Sequence, residues 1–159
     1  MKTDPLKVAE GAHAALKPSG AFIGEFGGHL NVAEVHSACI NTINKFLARE
    51  PVNGADGQPV DGVKLSPWYF PDIDEYRSVL EKAGFEVKHI SLTPRITPLP
   101  SDVAGWLKTF AGPFMQVLSS DEEKDQFVNE VQEMLRPVCC RNGKWSIMYN
   151  RMRFVAIKV

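Results

Sequence analysis

The sequence predicts an α/β fold, and three observations carry that prediction. Apolar spacing switches between helical and strand periods in the order helix, strand, helix, helix, strand, two helices, strand. The chain opens on what reads as a crossover helix with no strand before it, and three strands are few for so many helices, so the pattern looks like the back half of a doubly wound sheet. At 159 residues, 44% hydrophobic and 23% charged, the chain can bury a real core, which excludes a disordered tail or low-complexity linker.

The elements follow in order. Asp4 can cap a first helix, Pro5 suits its first turn, and Leu6, Ala9, His13 and Leu16 share a face before Pro18 and Gly20 end it. Ala21–Phe26 is a short apolar run read as a strand, followed by Gly27-Gly28. A second helix runs from about Asn31 to Ala48 on the stripe Val32, Val35, Cys39, Ile43, Phe46 and Leu47. Residues 51–66 are a polar loop, and Pro67–Pro71 is an extended aromatic patch. Asp72 with Glu75 opens a helix through Ala83, with Ile73, Tyr76, Val79 and Leu80 inward. Gly84 ends it, and Phe85–Thr93 alternates as a strand. Pro94–Pro100 reads as a proline-marked connection and Ser101–Phe110 as a short helix with Val103, Trp106, Leu107 and Phe110 on one side. Ser120 with Glu123 is a capping box for a helix to Arg136, with Phe127, Val131, Met134 and Leu135 inward and Pro137 as its stop. A segment around Lys144–Met148 and a strand Arg151–Val159 close the chain. No repeat and no dividing linker is visible, so 1–159 reads as a single domain.

Charge and composition narrow the function. A net charge of −1 gives no basic surface for nucleic acid or an anionic membrane. No run of ~18 apolar residues spans a bilayer, and Met1–Pro5 lacks the apolar core of a signal peptide. Cys39, Cys139 and Cys140 do not make a disulfide framework, so a reducing compartment, the cytoplasm, is expected. The adjacent Cys139 and Cys140 read as ordinary thiols.

Motifs that could carry chemistry are sparse. Gly24-Glu25-Phe26-Gly27-Gly28 sits between strand and helix but is not G-x-G-x-x-G, and no second strand ends in an acid about ~20 residues later. It reads as a tight turn, with a weaker reading in which free amides near Gly28 and Asn31 hold an anion at the helix N-terminus. His29 and His36 lack metal-ligand spacing and read as one loop and one surface histidine. Asp121-Glu122-Glu123 meets the positive end of a helix dipole, which accounts for it without function. No nucleophile–base constellation or carboxylate pair can be assembled from spacing.

Five segments carry a family resemblance. Leu16-Lys17-Pro18-Ser19-Gly20-Ala21-Phe22-Ile23 resembles the turn before the fifth strand of class I S-adenosylmethionine-dependent methyltransferases, and Phe26-Gly27-Gly28 the loop after that strand. Pro67–Pro71 with Tyr76, Leu80 and Ala83-Gly84-Phe85 resembles the next crossover helix and sixth strand. Ala104–Phe110 resembles the helical insert before the last strand, and Arg151–Lys158 the final antiparallel strand. The nearest subgroup is the small-molecule methyltransferases similar to trans-aconitate methyltransferase.

The resemblance implies strands in the order five, seven, six, with helices on both faces and a helical acceptor-side insert at about 95–140. It also implies S-adenosylmethionine as cofactor and a small-molecule acceptor. Gly28, His29, Trp68, Tyr69, Arg95 and Trp106 would then wall and orient that acceptor, His29 and Arg95 suiting an anionic one. For the aromatics, core and cap packing is the competing reading. Arg95 reads equally well as a solvated loop residue.

The family's glycine-rich turn and ribose-binding acid are missing from these residues. The expectation is therefore an incomplete methyltransferase domain, inactive alone, with binding of the cofactor by this chain doubtful. The fourth strand's absence would leave Ala21–Phe26 as an open apolar edge. Several hundred Å² of uncovered apolar surface at about 25 cal/mol per Å² rivals a domain's whole stability of about 5–15 kcal/mol. A homodimer through strand 21–26 and its flanking helices is expected to cover it. The alternatives are a non-enzymatic binding or regulatory module that self-associates or pairs with an intact methyltransferase, and an unrelated α/β protein.

Overall fold

The structure, a computed structural model, describes residues 4–159. The expectations that concern Met1-Lys2-Thr3 lie outside the described residues.

Helix α1 spans Pro5–Ala15, and the Asp4 carboxylate caps it by accepting the Leu6 N–H at 3.0 Å. Its far end is closed by the Lys158 ammonium, which donates to the carbonyls of His13 and Leu16 at 2.8 and 2.9 Å, a cation where the helix dipole is negative. Strand β1 (Ala21–Gly27), helix α2 (Ala33–Arg49) and a one-turn helix α3 (Gly62–Leu65) follow. Helix α4 covers Ile73–Lys82, with Asp72 accepting the Glu75 N–H at 2.8 Å. Gly84 takes a positive φ of 92° and turns the chain into β2 (Phe85–Pro98). Helices α5 (Val103–Phe110), α6 (Gly112–Met115) and α7 (Asp121–Cys139) lead to β3 (Cys140–Arg141) and β4 (Lys144–Lys158). None of the described helices is long and apolar enough to cross a membrane.

The sheet order is β1–β4–β2, with β3 also paired to β4. The last strand thus lies between the other two long ones. β1 runs antiparallel to it, from Ala21 opposite Ile157 to Gly27 opposite Arg151. β1 ends the row, so among the described residues one of its edges has no strand beside it.

The chain packs as two compact units. The first holds the described residues through Asn31, Trp68–Arg95 and Tyr149–Val159. Its core is Ala9, Tyr76, Leu80, Phe85, Met152, Phe154 and Ala156, with Phe22, Phe26 and Tyr69 packed against it. Edge-to-face rings bind this core, Phe22 on Phe154 at 4.9 Å and Phe26 on Tyr76 at 4.7 Å between centroids. The second unit comprises Val32–Pro67 and Ile96–Met148. There Phe114, Phe127, Ile43, Leu107 and Val131 are fully buried, and Phe114 stacks on Phe127 at 6.5 Å.

Several sequence expectations are corrected. Pro94–Pro100 is not a connection, because β2 continues through Pro94 to Pro98. β2 ends the sheet order, and an edge strand tolerates a residue that cannot donate to a ladder. Pro137 does not stop α7, which runs two residues further to the buried Cys139. So near the end, the proline forfeits one backbone bond and little else. Lys144–Lys158 is a single strand entered by a two-residue turn at Asn142-Gly143, both with positive φ. Phe110 and Met134, expected inward, are half-exposed. The polar loop 51–66 contains α3, anchored by the Gly62 N–H donating to Asn44 Oδ1 at 2.7 Å.

Candidate functional site

The loop after β1 is tied down by several hydrogen bonds within the first unit. The Gly28 N–H donates to the Asn150 carbonyl at 2.9 Å, and the Asn31 N–H donates to the Gly28 carbonyl at 2.9 Å. The Asn150 N–H donates to Asn31 Oδ1 at 3.0 Å, and Asn150 Nδ2 donates to the His29 carbonyl at 2.7 Å. The His29 N–H reaches the Pro71 carbonyl at 2.8 Å, which fastens the loop to the aromatic segment before α4. These bonds hold Leu30 at φ 63°, a left-handed conformation that a leucine adopts only under constraint.

This geometry corrects the reading of free amides near Gly28 and Asn31, since both are spent inside the protein. The glycines are also used for packing. A Cβ on Gly27 would lie 2.6 Å from the Phe70 ring, and one on Gly28 would strike Leu92. Neither position has the open space or unspent donors that a phosphate or adenosyl group needs, so this turn does not fit such a cofactor by itself.

Of the expected acceptor-side residues, the first unit brings together Gly28, His29 and the segment carrying Trp68 and Tyr69, through the His29–Pro71 bond. His29 itself is exposed. Trp68 is partly buried and stacks on Phe70, with rings 5.9 Å apart and 14° from parallel. Tyr69 packs on the core with its hydroxyl beside the Glu75 carboxylate. Burial, and secondarily the nearby Glu75 carboxylate, push its pKa far above the ordinary phenol value, so it remains a neutral donor. Asn150 Oδ1 is buried without a partner.

Arg95 belongs to the same unit, its Nη1 4.0 Å from Glu25 Oε1. Glu25 is the centre of a cluster that spacing alone did not reveal. Arg153 Nε donates to it at 2.8 Å from the directly opposite register position, and Arg151 Nε at 3.1 Å from the diagonal one. The guanidiniums of Arg153 and then Arg151 hold the Glu25 carboxyl below its usual range. Trp106 belongs to the second unit, where it is partly buried and tilted against Phe110 at 4.9 Å.

Two of the three thiols are held in their protonated form by burial. Burial pushes Cys39 up to about 12 and, together with Glu34, Cys139 up to about 11, so both stay protonated. All three cysteines are free thiols. His36 sets its ring edge-on to Phe114 at 6.4 Å in the second unit. Among the described residues, no three His, Cys, Asp or Glu side chains converge on a metal position. The first unit's residues can pack, orient and hydrogen-bond a small molecule.

Asn31 and Asn150 were missed from sequence. Their pairing spans 119 residues, and no local signal announces it. Glu25, Arg151 and Arg153 could have been placed on one sheet face from strand alternation, but their pairing needs the register.

Comparison with known proteins supplies the kinship. No protein-family model matches the chain. An uncharacterized methyltransferase of Schizosaccharomyces pombe is 36% identical over 152 residues, covering 95% of this chain and 54% of that protein. The chain thus spans about half the length of the relative it matches. A solved structure from Bacillus halodurans, assigned as a methyltransferase, overlaps with a TM-score of 0.47 at 13% identity, covering 98% of this chain and 58% of that one. That structural likeness is too weak to support an argument. The resemblance to part of a methyltransferase, read from the sequence, is shown by the yeast relative.

Proposed function

We propose that this chain, a relative of methyltransferases over nearly its whole length, forms the acceptor side of an S-adenosylmethionine-dependent methyltransferase acting on a small molecule. The 36% identity to a methyltransferase over 95% of the chain carries the reading. The sheet order β1–β4–β2, with β4 antiparallel to β1, supports it as the order expected of strands five, seven and six. In this reading α5, α6 and α7, within about residues 95–140, are the helical acceptor-side insert.

Methyl transfer from a sulfonium needs little acid–base help. The protein's task is alignment and exclusion of water. His29, Trp68, Tyr69 and Arg95 of the first unit are the residues we assign to the acceptor, with the Gly28 turn fixing His29 in place. Since the Gly27-Gly28 turn offers no cofactor cradle, S-adenosylmethionine is held by a cofactor-binding portion outside these residues, and these residues alone are inactive. The free thiols support a reducing compartment, the cytoplasm.

The open edge of β1 favours a second element of the reading, self-association. Unpaired strand amides and the exposed Ile23 beside them, 67% accessible, are what a two-fold partner would cover. The same edge would equally serve a regulatory module docking on an intact methyltransferase. Sedimentation at micromolar concentration tests the first. A dimer is expected, and a folded monomer overturns it. Calorimetry with S-adenosylmethionine tests the division of labour. No micromolar binding by the 159-residue chain is expected, and such binding overturns it.

A further inference from the structure

The second unit carries an apolar groove with a cationic lip, and the methyl-transfer reading does not use it. The cavity holds about 370 Å³ and is lined by Glu34, Ile96, Val138, Cys139, Arg141, Lys144, Ser146, Ile147 and Met148. That volume falls within the range of about 300–1,000 Å³ usual for small-ligand sites. Ile96 and Val138 are 69% and 67% exposed, and Met148 is exposed as well, so large apolar side chains left in water converge on one concave surface. Ile147 and Cys139 are buried beneath it.

The lip is electrically unfinished. Arg141 and Lys144 stand directly opposite each other on β3 and β4, flanking the Asn142-Gly143 turn. Like charges at such paired positions destabilise a hairpin. Arg141 has a structural reason to be there. Its Nη1 donates to the Pro137 and Cys140 carbonyls at 2.6 and 3.1 Å, where the negative end of the α7 dipole falls. Lys144 has no such reason in its cross-strand pairing, because it faces a fixed cation. The Glu34 carboxylate also lines the groove and accepts the Met148 N–H at 2.7 Å, a bond that leaves its negative charge in place. An anion at the lip would relieve the repulsion, and an apolar body would cover the exposed floor.

We propose that this groove binds a small amphiphilic anion, with its apolar body over Ile96, Val138 and Met148 and a carboxylate or phosphate head at Lys144 and Arg141. The site does not depend on the methyltransferase reading, and its test uses neither cofactor nor methyl transfer.

Methyl-resolved spectra of the full chain, titrated in parallel with decanoate, decyl phosphate and decanol, test it. Decanoate and decyl phosphate should shift the Ile96, Val138, Ile147 and Met148 methyls saturably, and the tighter of the two identifies the head group. Decanol should bind more weakly, by up to about fivefold, the size expected for one partly exposed ion pair. Lys144→Glu should weaken both anions by about the same factor and leave decanol unchanged. Val138→Asp, at an exposed position that folding does not need, should abolish all three. The proposal fails if no saturable shift occurs, if decanol binds as tightly as the anions, or if Lys144→Glu changes neither anion.

Discussion

The two faces of the β1–β4 ladder are built from the same two strands and have opposite characters. On one face Phe22, Gly24 and Phe26 meet Ala156, Phe154 and Met152 inside the core of the first unit. On the other, Ala21, Ile23 and Glu25 meet Ile157, Val155 and Arg153, and Ile23 and Glu25 stand in solvent. The first face is governed by shape. Gly24 is there because a Cβ would lie 2.5 Å from the Phe154 ring. The second is governed by charge at one end and by uncovered apolar surface at the other. A sheet face left partly in solvent is what the proposed self-association would cover.

Phe154→Ala is the strongest way to break the packed face. It removes the ring shared by Phe22, Phe26 and Tyr76 and should cost about 3–5 kcal/mol in urea unfolding. Gly24→Ala attacks the same contact from the other strand by overpacking, and a loss of about 1–3 kcal/mol is expected. If Gly24→Ala proves neutral, the face is looser than described.

On the open face the expected effects on folding are small and the effects on association large. Ile23→Lys should change unfolding stability by no more than about 0.5 kcal/mol. The added charge on the edge strand should convert the proposed dimer to monomer in sedimentation. A dimer that survives this substitution would place the interface elsewhere.

Glu25 gives the smallest and most diagnostic change. Its folded-state pKa lies below the ordinary 4.5, so its stabilisation is fully present above that value and is lost as pH falls through the lower, folded one. Glu25→Gln should therefore be less stable than the unsubstituted chain at neutral pH, with the gap closing on acidification below about pH 4.5. A gap independent of pH would mean that the arginines do not act on the carboxylate.

What the sequence disclosed follows the range of the forces involved. The caps at Asp4, Asp72 and Ser120 were legible because a side chain bonding two or three residues along its own chain leaves a local signature. The alternation of Phe85 and Val87 and the stripe of α2 were legible for the same reason. Pro94 and Pro137 misled because their cost depends on where a strand or helix lies, at a sheet edge or in a last turn, and not on the residue alone. The Asn142-Gly143 turn carried a recognised hairpin signal, which the expectation of a separate terminal strand passed over. Gly28, His29, Trp68, Tyr69, Arg95 and Trp106 are grouped through the family resemblance, with packing as the rival reading for the aromatics. The Asn150 clasp on the His29 carbonyl, and the pairing of Glu25 with Arg153 across 128 residues, depend on register and were not legible.

The central claim is that these residues carry the acceptor side of a methyltransferase while the adenosyl group is held elsewhere. Calorimetric titration of S-adenosylmethionine into the purified 159-residue chain tests it most directly. The account predicts no saturable heat at micromolar ligand, whereas one-to-one micromolar binding would contradict it.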